Sequence, residues 1–477
     1  MQSQMDCIFI SPDSSRESYQ ALADSYAAIE TPTWCLLLAG ALRHKYEVGI
    51  LDPLAEGLDD HQAWLRISGS RPKLICFVIY GQNPNSGTTN MAGAVRLASY
   101  IRERESTPIA FIGSHASALP EETLELGCVD YVLPGDGLKA LERILENPGP
   151  AKRVVWSEPS EFSKYAWDLL PTLDAYRAHY WHAGYDDKAR SPFAALYTSL
   201  GCPFKCDFCM INLVNRSRAD QLDAADSAFM RILPAASVLD NLQTLQDRGV
   251  RNVRISDEMF FLDKRHYLPI IQGITERGID LNLWAYARVD TVRPEFLERF
   301  KNAGVNWLCL GIEAANQKIR REISKGSFEE VDVRRVVSEI RSHGIKVLAN
   351  FIFGLPDDDL VSMQETLDLA LEINCEHANF YPCMALPGTP LYRWAVKERF
   401  ALPETYSGYS FHSYDCVPLP TKHIPASEVL RFRDEGWRTY FSSPGYLGLV
   451  ERTFGAAQRH NVEKMTSIRL KRKLLGD

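Results

Sequence analysis

The 477-residue sequence lacks an apolar run long enough to cross a membrane. Its longest candidate, residues 35–42, is far shorter than the roughly 18 residues that a transmembrane helix needs. Residues 1–6 have neither the basic nor the apolar segment of a secretory signal, which predicts a cytoplasmic protein with reduced thiols. An excess of positive charge is also lacking: 53 Lys and Arg stand against 61 Asp and Glu, a net charge of −8. A nucleic-acid partner is therefore not expected.

The sequence also lacks the signs of a repetitive or disordered protein. It contains no internal repeat of fixed period and no low-complexity tract. Apolar residues make up 45% of the chain and charged residues 24%, which is typical of a folded globular protein. The length suits roughly two to four domains, each with a core of its own.

The first 147 residues alternate between short apolar runs and helix-like patterns. The runs predict strands at residues 7–10, 48–51, 74–79, 109–112 and 131–133, with helices between them at residues 36–43, 91–102 and 138–145. This alternation favours a doubly wound parallel sheet, whose ligands bind beyond the carboxyl ends of the strands. The loops at those ends are small and polar, which would let a large flat ligand approach the backbone, although the loops alone favour ordinary turns.

A second βα series follows a predicted linker at residues 148–194, which is rich in aromatic residues. Its strands are predicted at residues 195–199, 253–256, 283–287, 307–310, 347–353 and 379–382. About six βα units within residues 195–395 indicate a partial (βα)6 barrel, in which chemistry takes place on the loops after the strands. Residues 396–477 have a helical, basic and aromatic pattern. The expected fold class is α/β: a doubly wound sheet, then a partial barrel, then a helical C-terminal region.

Three of the eleven cysteines, Cys202, Cys206 and Cys209, form a C-x3-C-x2-C motif within eight residues. The others are scattered singly, so a disulfide framework is not indicated. Three thiolates on one loop can bind three irons of a 4Fe-4S cluster and leave the fourth iron open. The alternatives are a zinc site completed by a remote residue and three unrelated buried cysteines. A structural zinc site usually has a second C-x2-C type pair, which this sequence lacks.

The motif and its position resemble those of the radical S-adenosylmethionine (SAM) enzymes, in particular the subgroup with an N-terminal cobalamin-binding domain. The resemblance covers nearly the whole chain. It implies that Cys202, Cys206 and Cys209 hold a 4Fe-4S cluster whose open iron binds the amino and carboxylate groups of SAM. It also implies that Phe208, just before the third cysteine, packs near adenine.

The resemblance implies further contacts with SAM along the barrel. Asp257 and Glu258 follow the second predicted strand and match an acidic segment that contacts the SAM amino group, where a carboxylate would balance the ammonium charge. Arg288 is expected to pair with the SAM carboxylate or to brace the barrel rim. The remaining matches are assigned to the ribose and adenine, and they are Gly311, Glu313, Lys325, Gly326 and Gly354.

In the N-terminal domain, the resemblance implies a cobalamin site. The matching positions lie in the loops after the third, fourth and fifth predicted strands: Tyr80, Gly81, Ser114, His115, Gly135 and Gly137. The D-x-H-x-x-G signature that supplies an axial histidine in other cobalamin proteins is missing, since residues 11–16 read SPDSSR. Cobalamin is therefore expected to bind without a histidine nitrogen on cobalt.

The function that the resemblance implies is methylation of an unactivated carbon of a small polar metabolite or natural-product intermediate. A 5′-deoxyadenosyl radical would remove a substrate hydrogen, and methylcobalamin would deliver the methyl group. An electron donor such as flavodoxin or ferredoxin is implied as a partner. Radical oxidation, cyclisation or rearrangement without methyl transfer is an alternative within the subgroup. A non-catalytic cobalamin- or metal-binding sensor is an alternative of a different class.

The substrate side of the barrel offers one candidate catalytic residue. Residues 387–390, with the sequence PGTP, resemble a widespread segment near the substrate, and Cys383 precedes them. Cys383 is a candidate hydrogen donor, although a lone cysteine on a barrel strand is more often plain packing. Substrate contacts are expected from the C-terminal region, from Thr421 onward.

Overall fold

The N-terminal part of the chain forms one parallel sheet of six strands. The strands are β1 (Cys7–Ile10), β2 (Val48–Leu51), β3 (Leu74–Ile79), β4 (Ile109–Gly113), β5 (Tyr131–Leu133) and β6 (Arg153–Val154). In this computed structural model, which describes residues 4–149, 152–323 and 332–477, their order is β2-β1-β3-β4-β5-β6. The central strands β1, β3 and β4 are buried along their whole length, as expected for a parallel sheet covered on both faces.

The helices of this part pack on both faces of the sheet. They are α1 (Ser15–Tyr19), α2 (Thr33–Leu42), α3 (Pro53–Glu56), α4 (Asp60–Ser70), α5 (Gly87–Arg102), α6 (Ser114–Ala118), α7 (Pro120–Leu124) and α8 (Leu138–Glu146). Cys7 and Phe9 belong to the core that contains α2, whereas Ile8 and Ile10 belong to the core that contains α4 and α5. This alternation follows from the period of two along a strand. The strand order reverses between β1 and β3, so the crevice at their carboxyl ends is the expected ligand site.

The middle of the chain contains eight more strands. They are β7 (Phe193–Leu196), β8 (Ser199–Gly201), β9 (Met230–Ile232), β10 (Asn252–Ile255), β11 (Asn282–Arg288), β12 (Val305–Glu313), β13 (Lys346–Phe353) and β14 (His377–Pro382). Six of them form a parallel sheet in the order β14-β13-β12-β11-β10-β7, and β8 and β9 pair as a separate antiparallel hairpin. The predicted α/β class, a doubly wound sheet followed by a partial barrel, is confirmed.

Helices follow the barrel strands and fill the C-terminal region. They are α9 (Ala235–Asp247), α10 (Lys264–Arg277), α11 (Pro294–Asn302), α12 (Gln317–Glu322), α13 (Val333–Ser342), α14 (Leu360–Ile373), α15 (Pro390–Glu398), α16 (Ala426–Phe441), α17 (Pro444–Phe454) and α18 (Ala456–Thr466). Val333, Val337 and Ile340 of α13 are buried, as their helical spacing predicts. Within the three described stretches, no helix combines the length and the apolar character needed to cross a membrane.

The first barrel strand is shorter than predicted. The pattern predicts one strand over residues 195–199, but β7 ends at Leu196 and the chain continues as β8 of the hairpin. The backbone N–H and the hydroxyl of Thr198 both donate to the carboxylate of Asp257, each over 2.5 Å, and these bonds hold the chain away from the sheet ladder. Cys202 follows β8 directly, so the cysteine loop starts from the hairpin.

One continuous apolar core joins the two sheets. It contains Phe9 of β1, Trp34 of α2 and Trp284 of β11, together with Trp181 from the segment between the sheets. That segment, expected to be a linker, therefore packs against both of its neighbours, and β6 within it extends the first sheet. Burial on this scale fixes the N-terminal loops relative to the mouth of the barrel.

Candidate active site

A cavity of about 480 Å³ lies where the carboxyl ends of the strands of both sheets meet. Its size falls within the roughly 300–1,000 Å³ of ordinary small-molecule sites. The N-terminal sheet contributes the loop after β3, and the barrel contributes the cysteine loop and inward-facing residues along β10 to β14. Residues 409–412 of the C-terminal region close another side. All three parts of the chain therefore meet at one site.

All three cysteines of the motif line this cavity. Cys202 is buried, and Cys206 and Cys209 are half-buried. Asn212 shapes the loop, because its Oδ1 accepts the N–H of Cys202 over 2.8 Å and its Nδ2 donates to the carbonyl of Phe204 over 3.1 Å. The folded loop thus presents three sulfur atoms to one space.

The surroundings of the thiols suit a metal cluster. Burial, and then the charge of Glu258, raise the pKa of Cys209 well above its ordinary value, so the thiol keeps its proton when no metal is bound. Metal coordination reverses this, because it removes the proton from a thiol. Cys202 and Cys209 pack with Ile211 and Met259 in an apolar cluster, a setting that favours soft sulfur ligation of iron.

The donor chemistry of the loop therefore fits a 4Fe-4S cluster. In the part of the chain that the structure describes, no three His, Cys, Asp or Glu side chains are arranged to hold a single metal ion.

Four of the residues assigned to SAM by resemblance line the same cavity. They lie at or just after the carboxyl ends of β10, β11 and β12, and they are Glu258, Arg288, Gly311 and Glu313. Parallel strands bring such residues to one edge of a barrel. Phe208 of the cysteine loop also lines this cavity. The contacts of all these residues with SAM remain predictions.

Arg288 is buried and makes a two-pronged ion pair. Its Nε and Nη2 donate to the two carboxylate oxygens of Asp290, each over 2.9 Å. The same guanidinium lies 3.9 Å from the centre of the Phe204 ring, so it also contacts the cysteine loop. These contacts hold the guanidinium against Asp290 and the cysteine loop, and the two roles expected for Arg288 remain predictions.

Of the adjacent acidic pair, Glu258 lines the cavity whereas Asp257 is directed at the hairpin. The buried carboxylate of Asp257 accepts hydrogen bonds from Thr198 and, over 2.6 Å, from the hydroxyl of Ser199. His266 Nε2 lies 3.7 Å from the same carboxylate. Asp257 therefore anchors the start of the cysteine loop to β10, and Glu258 is the carboxylate that faces the cavity.

Gly354 lies in the turn after β13 and packs against α16. Its φ is +81°, and a Cβ there would lie only 2.4 Å from the Val429 side chain. Its N–H donates to the carboxylate of Asp358 over 3.1 Å. The turn needs glycine for both its backbone conformation and its close approach to the helix. Lys325 and Gly326 lie outside the described residues.

A smaller cavity of about 100 Å³ lies in the crevice at the carboxyl ends of β1 and β3. Tyr80 and Gly81 line it, and Ser18, Tyr19 and Gln82 line both cavities, so the two spaces adjoin. The buried hydroxyl of Ser18 has no hydrogen-bond partner among the described residues. The Ser18 hydroxyl is thus available to a ligand where the two cavities meet. A polar group at this crevice fits the polar edge of a cofactor such as cobalamin.

Ser114 and His115 lie at the start of α6 and make internal contacts. The Ser114 hydroxyl donates to the carbonyl of Pro84 over 2.5 Å. The Nδ1 of His115 lies 3.2 Å from the Thr88 hydroxyl, and its ring packs edge-on against Tyr406 at 5.3 Å. Burial lowers the pKa of His115 to about 4, so the imidazole is neutral at physiological pH. Both side chains support the loops around the crevice.

Gly135 allows the N-terminal part to approach the end of the cysteine loop, whereas Gly137 packs within the N-terminal part against Ile112. Gly135 has a φ of +73°, and a Cβ there would lie 2.3 Å from the carbonyl oxygen of Arg216. Its own carbonyl accepts the Tyr80 hydroxyl over 2.5 Å. Arg216 donates in turn to the carbonyl of Ser117, and Gly137, with a φ of +69°, immediately precedes α8. Glycine is needed at position 135 because a larger residue would push the two parts of the chain apart.

Sequence reasoning missed a buried ion pair beside the cavities. Arg254 of β10 lines the larger cavity, and its Nη1 lies 2.7 and 2.8 Å from the two carboxylate oxygens of Glu30, which lines the smaller one. His179 Nε2 lies 2.9 Å from the same carboxylate. The one available sign was an arginine at a fully buried strand position between Val253 and Ile255; nothing local marked Glu30.

Cys383 directly follows β14 and lines the larger cavity. It is buried in an apolar cluster with Ile352, Leu355 and Ala385. Burial raises the pKa of its thiol, so the sulfur remains protonated. This placement suits plain packing and also gives the sulfur access to the cavity, and the role of hydrogen donor remains a prediction.

Comparison with known proteins shows which proteins this chain resembles. Residues 196–370 match the Radical SAM superfamily. An uncharacterized methyltransferase of Pyrococcus horikoshii is 24% identical over 441 residues, which cover 87% of this chain and 89% of that protein. The hopanoid C-3 methylase of Methylococcus capsulatus is 25% identical over 432 residues, which cover 84% of this chain and 76% of that protein. The similarity to both relatives extends well beyond the barrel.

Among solved structures, similarity also extends over both sheets. The radical SAM methyltransferase TsrM of Kitasatospora setae, solved with cobalamin and a 4Fe-4S cluster bound, has a TM-score of 0.64 at 16% sequence identity. The alignment covers 98% of this chain and 99% of that chain, so the two proteins share one fold. Residues 196–370 of this chain therefore match the radical SAM superfamily, and the chain as a whole shares the fold of TsrM.

Proposed function

We propose that this protein is a cobalamin-dependent radical SAM methyltransferase that methylates an unactivated carbon of a small molecule. One observation carries the proposal: a three-cysteine loop and the loops of a doubly wound N-terminal sheet border the same cavity. Relatives named as methyltransferases, which align over more than four fifths of the chain, support it. A sensor or scaffold would have no need for acidic and aromatic residues gathered around a cysteine-lined cavity.

When bound, a 4Fe-4S cluster supplies the electron for reductive cleavage of SAM, and cobalamin supplies a carrier for the methyl group. The chain's own residues hold and separate these groups. Cys202, Cys206 and Cys209 would hold the cluster, and Tyr80 and Gly81 would border cobalamin. Because the two sets line adjoining cavities, a reacting carbon could be positioned between the two groups.

Glu258 and Glu313 are the carboxylates proposed to bind SAM. Glu258 would accept hydrogen bonds from the SAM ammonium group, and Glu313 would accept them from the ribose hydroxyls. The backbone supports a special role for Glu313, because it has a φ of +66° and the pairing of β12 with β13 shifts register between Gly311 and Glu313. A non-glycine residue held in this region is uncommon and is concentrated at functional sites.

The inner part of the cavity is proposed to bind the substrate. The Trp181 and Trp284 rings meet edge to face at 5.1 Å, and the Asn379 amide donates to Asn350 over 3.0 Å. The buried Nε1 of Trp284 has no hydrogen-bond partner among the described residues. Aromatic walls with a few polar groups suit a small molecule that has an apolar body and a hydrogen-bond acceptor, such as a natural-product intermediate.

The proposed reaction also needs an external one-electron reductant. A flavodoxin or ferredoxin is the class of protein donor that we propose. The cysteine ligands must remain reduced before cluster assembly, and the cytoplasm, where thiols are kept reduced, is the proposed location.

The test uses the full-length protein reconstituted anaerobically with iron, sulfide and cobalamin. It is incubated with a reductant, methyl-deuterated SAM and a panel of small aromatic and polar metabolites. We expect 5′-deoxyadenosine, S-adenosylhomocysteine and a product that carries the label. A variant with Cys202, Cys206 and Cys209 all replaced by Ala should form none of them. Formation of 5′-deoxyadenosine with no label in any product would favour radical oxidation or rearrangement instead.

A further inference from the structure

One side chain of the N-terminal part, Asn85, reaches the cysteine loop. Its Nδ2 lies 3.8 Å from Sγ of Cys209, within hydrogen-bonding reach of sulfur, and its Oδ1 accepts the backbone N–H of Met210 over 2.9 Å. The second contact fixes the orientation of the amide, because only the oxygen can accept from that N–H. The amide nitrogen is therefore the atom that faces the thiol.

The position of Asn85 is itself fixed by its loop. The N–H of Asn85 donates to Oδ1 of Asn83 over 3.0 Å, a contact typical of a tight turn that starts with Asn. Pro84 lies between them, and its carbonyl accepts the Ser114 hydroxyl at the start of α6. Ser86, on the other side of Asn85, lines both cavities. Asn85 thus lies on a loop that borders the proposed cobalamin crevice at one end and contacts Cys209 at the other.

We propose that Asn85 is a positioning residue that raises the reduction potential of the cluster and makes that potential sensitive to occupation of the N-terminal crevice. The proposal rests on the proposed function to the extent that a cluster is bound at Cys209. A hydrogen bond donated to a ligating sulfur stabilises the more negative, reduced state of a cluster. A ligand that moves the loop after β3 would change this bond.

Two variants of Asn85 and one control variant test its contacts with Cys209 and Met210. Asn85→Asp keeps an oxygen to accept the Met210 N–H but loses the donor to sulfur and adds a negative charge. Asn85→Ala loses both contacts without adding charge. Asn147→Asp, at an exposed position after α8, adds the same charge far from the cavity and serves as the matched control.

The experiment measures the iron content and midpoint potential of each reconstituted full-length protein, the latter by an EPR-monitored reductive titration. We expect all four proteins, wild type included, to keep their iron. The potential should become more negative in Asn85→Ala, more negative still in Asn85→Asp, and remain unchanged in Asn147→Asp. Equal potentials in wild type and both Asn85 variants, with iron retained, would overturn this proposal alone. Failure of the wild-type protein to bind iron would overturn the proposed function as well.

A second measurement tests the link to the crevice. Cluster-loaded wild type and Asn85→Ala are prepared with and without hydroxocobalamin and are then reduced with excess dithionite. The EPR signal of the reduced cluster is compared after the cob(II)alamin signal has been subtracted. We expect the cobalamin to shift the spectrum of the wild type and to leave that of Asn85→Ala unchanged. An equal shift in both proteins, or no shift in either, would refute the coupling.

Discussion

Replacing Glu30 with Gln tests how the two halves of the molecule are held together. Glu30 belongs to the N-terminal part and Arg254 to the barrel, and their side chains are 5% and 1% exposed. Neither charge is solvated, so Glu30→Gln leaves the Arg254 guanidinium buried without a counterion. Removing one partner of such a pair typically costs about 3–5 kcal/mol of unfolding free energy. We expect a loss of that size.

The assay is urea unfolding followed by tryptophan fluorescence, since the Trp284 ring lies 4.8 Å from the Arg254 guanidinium and reports on this region. The control is Asp240→Asn, which removes an ion pair of similar length, 2.7 Å, to Arg277 on the surface. An exposed pair of this kind contributes at most about 1 kcal/mol. If Glu30→Gln destabilises the protein no more than Asp240→Asn does, the buried pair does not join the halves as argued.

The pH dependence of the same variant gives a second check. Burial raises the pKa of Glu30, but Arg254 and His179 together lower it further, so the net pKa lies below its ordinary 4.5. A carboxylate with a lowered pKa contributes its full stability above the pKa of the unfolded state and loses it as the pH falls through the folded pKa. The difference in unfolding free energy between wild type and Glu30→Gln should be constant near neutral pH. It should become smaller below about pH 4. A free-energy difference that becomes larger in acid would contradict a lowered pKa for Glu30.

Three further outcomes follow from the placement of other residues. Asp257→Asn should lower the unfolding free energy by roughly 2–3 kcal/mol in urea titrations, because it weakens several buried hydrogen bonds. Glu258→Gln should instead raise the Kd for SAM with little change in stability. Cob(II)alamin bound to wild type and to His115→Ala should give identical EPR spectra; nitrogen superhyperfine splitting lost in the variant would contradict the internal placement of His115. Cys202→Ala should lower the iron content after reconstitution, whereas Cys375→Ala, in the apolar core, should leave it unchanged.

Most strands of the two sheets could be predicted from sequence because they are mainly apolar runs bounded by turn residues. The six residues of β3, Leu74–Ile79, are all apolar, and the predicted bounds match the observed ones. The break between β7 and β8 could not be predicted in this way. It depends on Asp257, which is 59 residues away from Thr198 in sequence and has no local signature.

In the candidate site, too, features set by nearby residues could be predicted, whereas features set by residues distant in sequence could not. The cysteine motif could be read directly, because its chemistry depends on the spacing of Cys202, Cys206 and Cys209 along one loop. The roles of Asp257 and Glu258 could not be separated, because neighbouring residues of an extended chain point in opposite directions. Which of the two faces the cavity depends on the exit of the chain from β10, and that is set by tertiary packing.

The conformation of the cysteine loop depends on contacts from both the barrel and the N-terminal part. Phe204 is held by Arg288 of the barrel, whereas Cys209 and Met210 are held by Asn85 of the N-terminal part. Arg216, at the end of the loop, donates to carbonyls of α6. A barrel without the N-terminal sheet would lose the last two sets of contacts and expose the apolar face that packs against Trp34. The N-terminal sheet therefore shapes the cysteine loop as well as providing a crevice of its own.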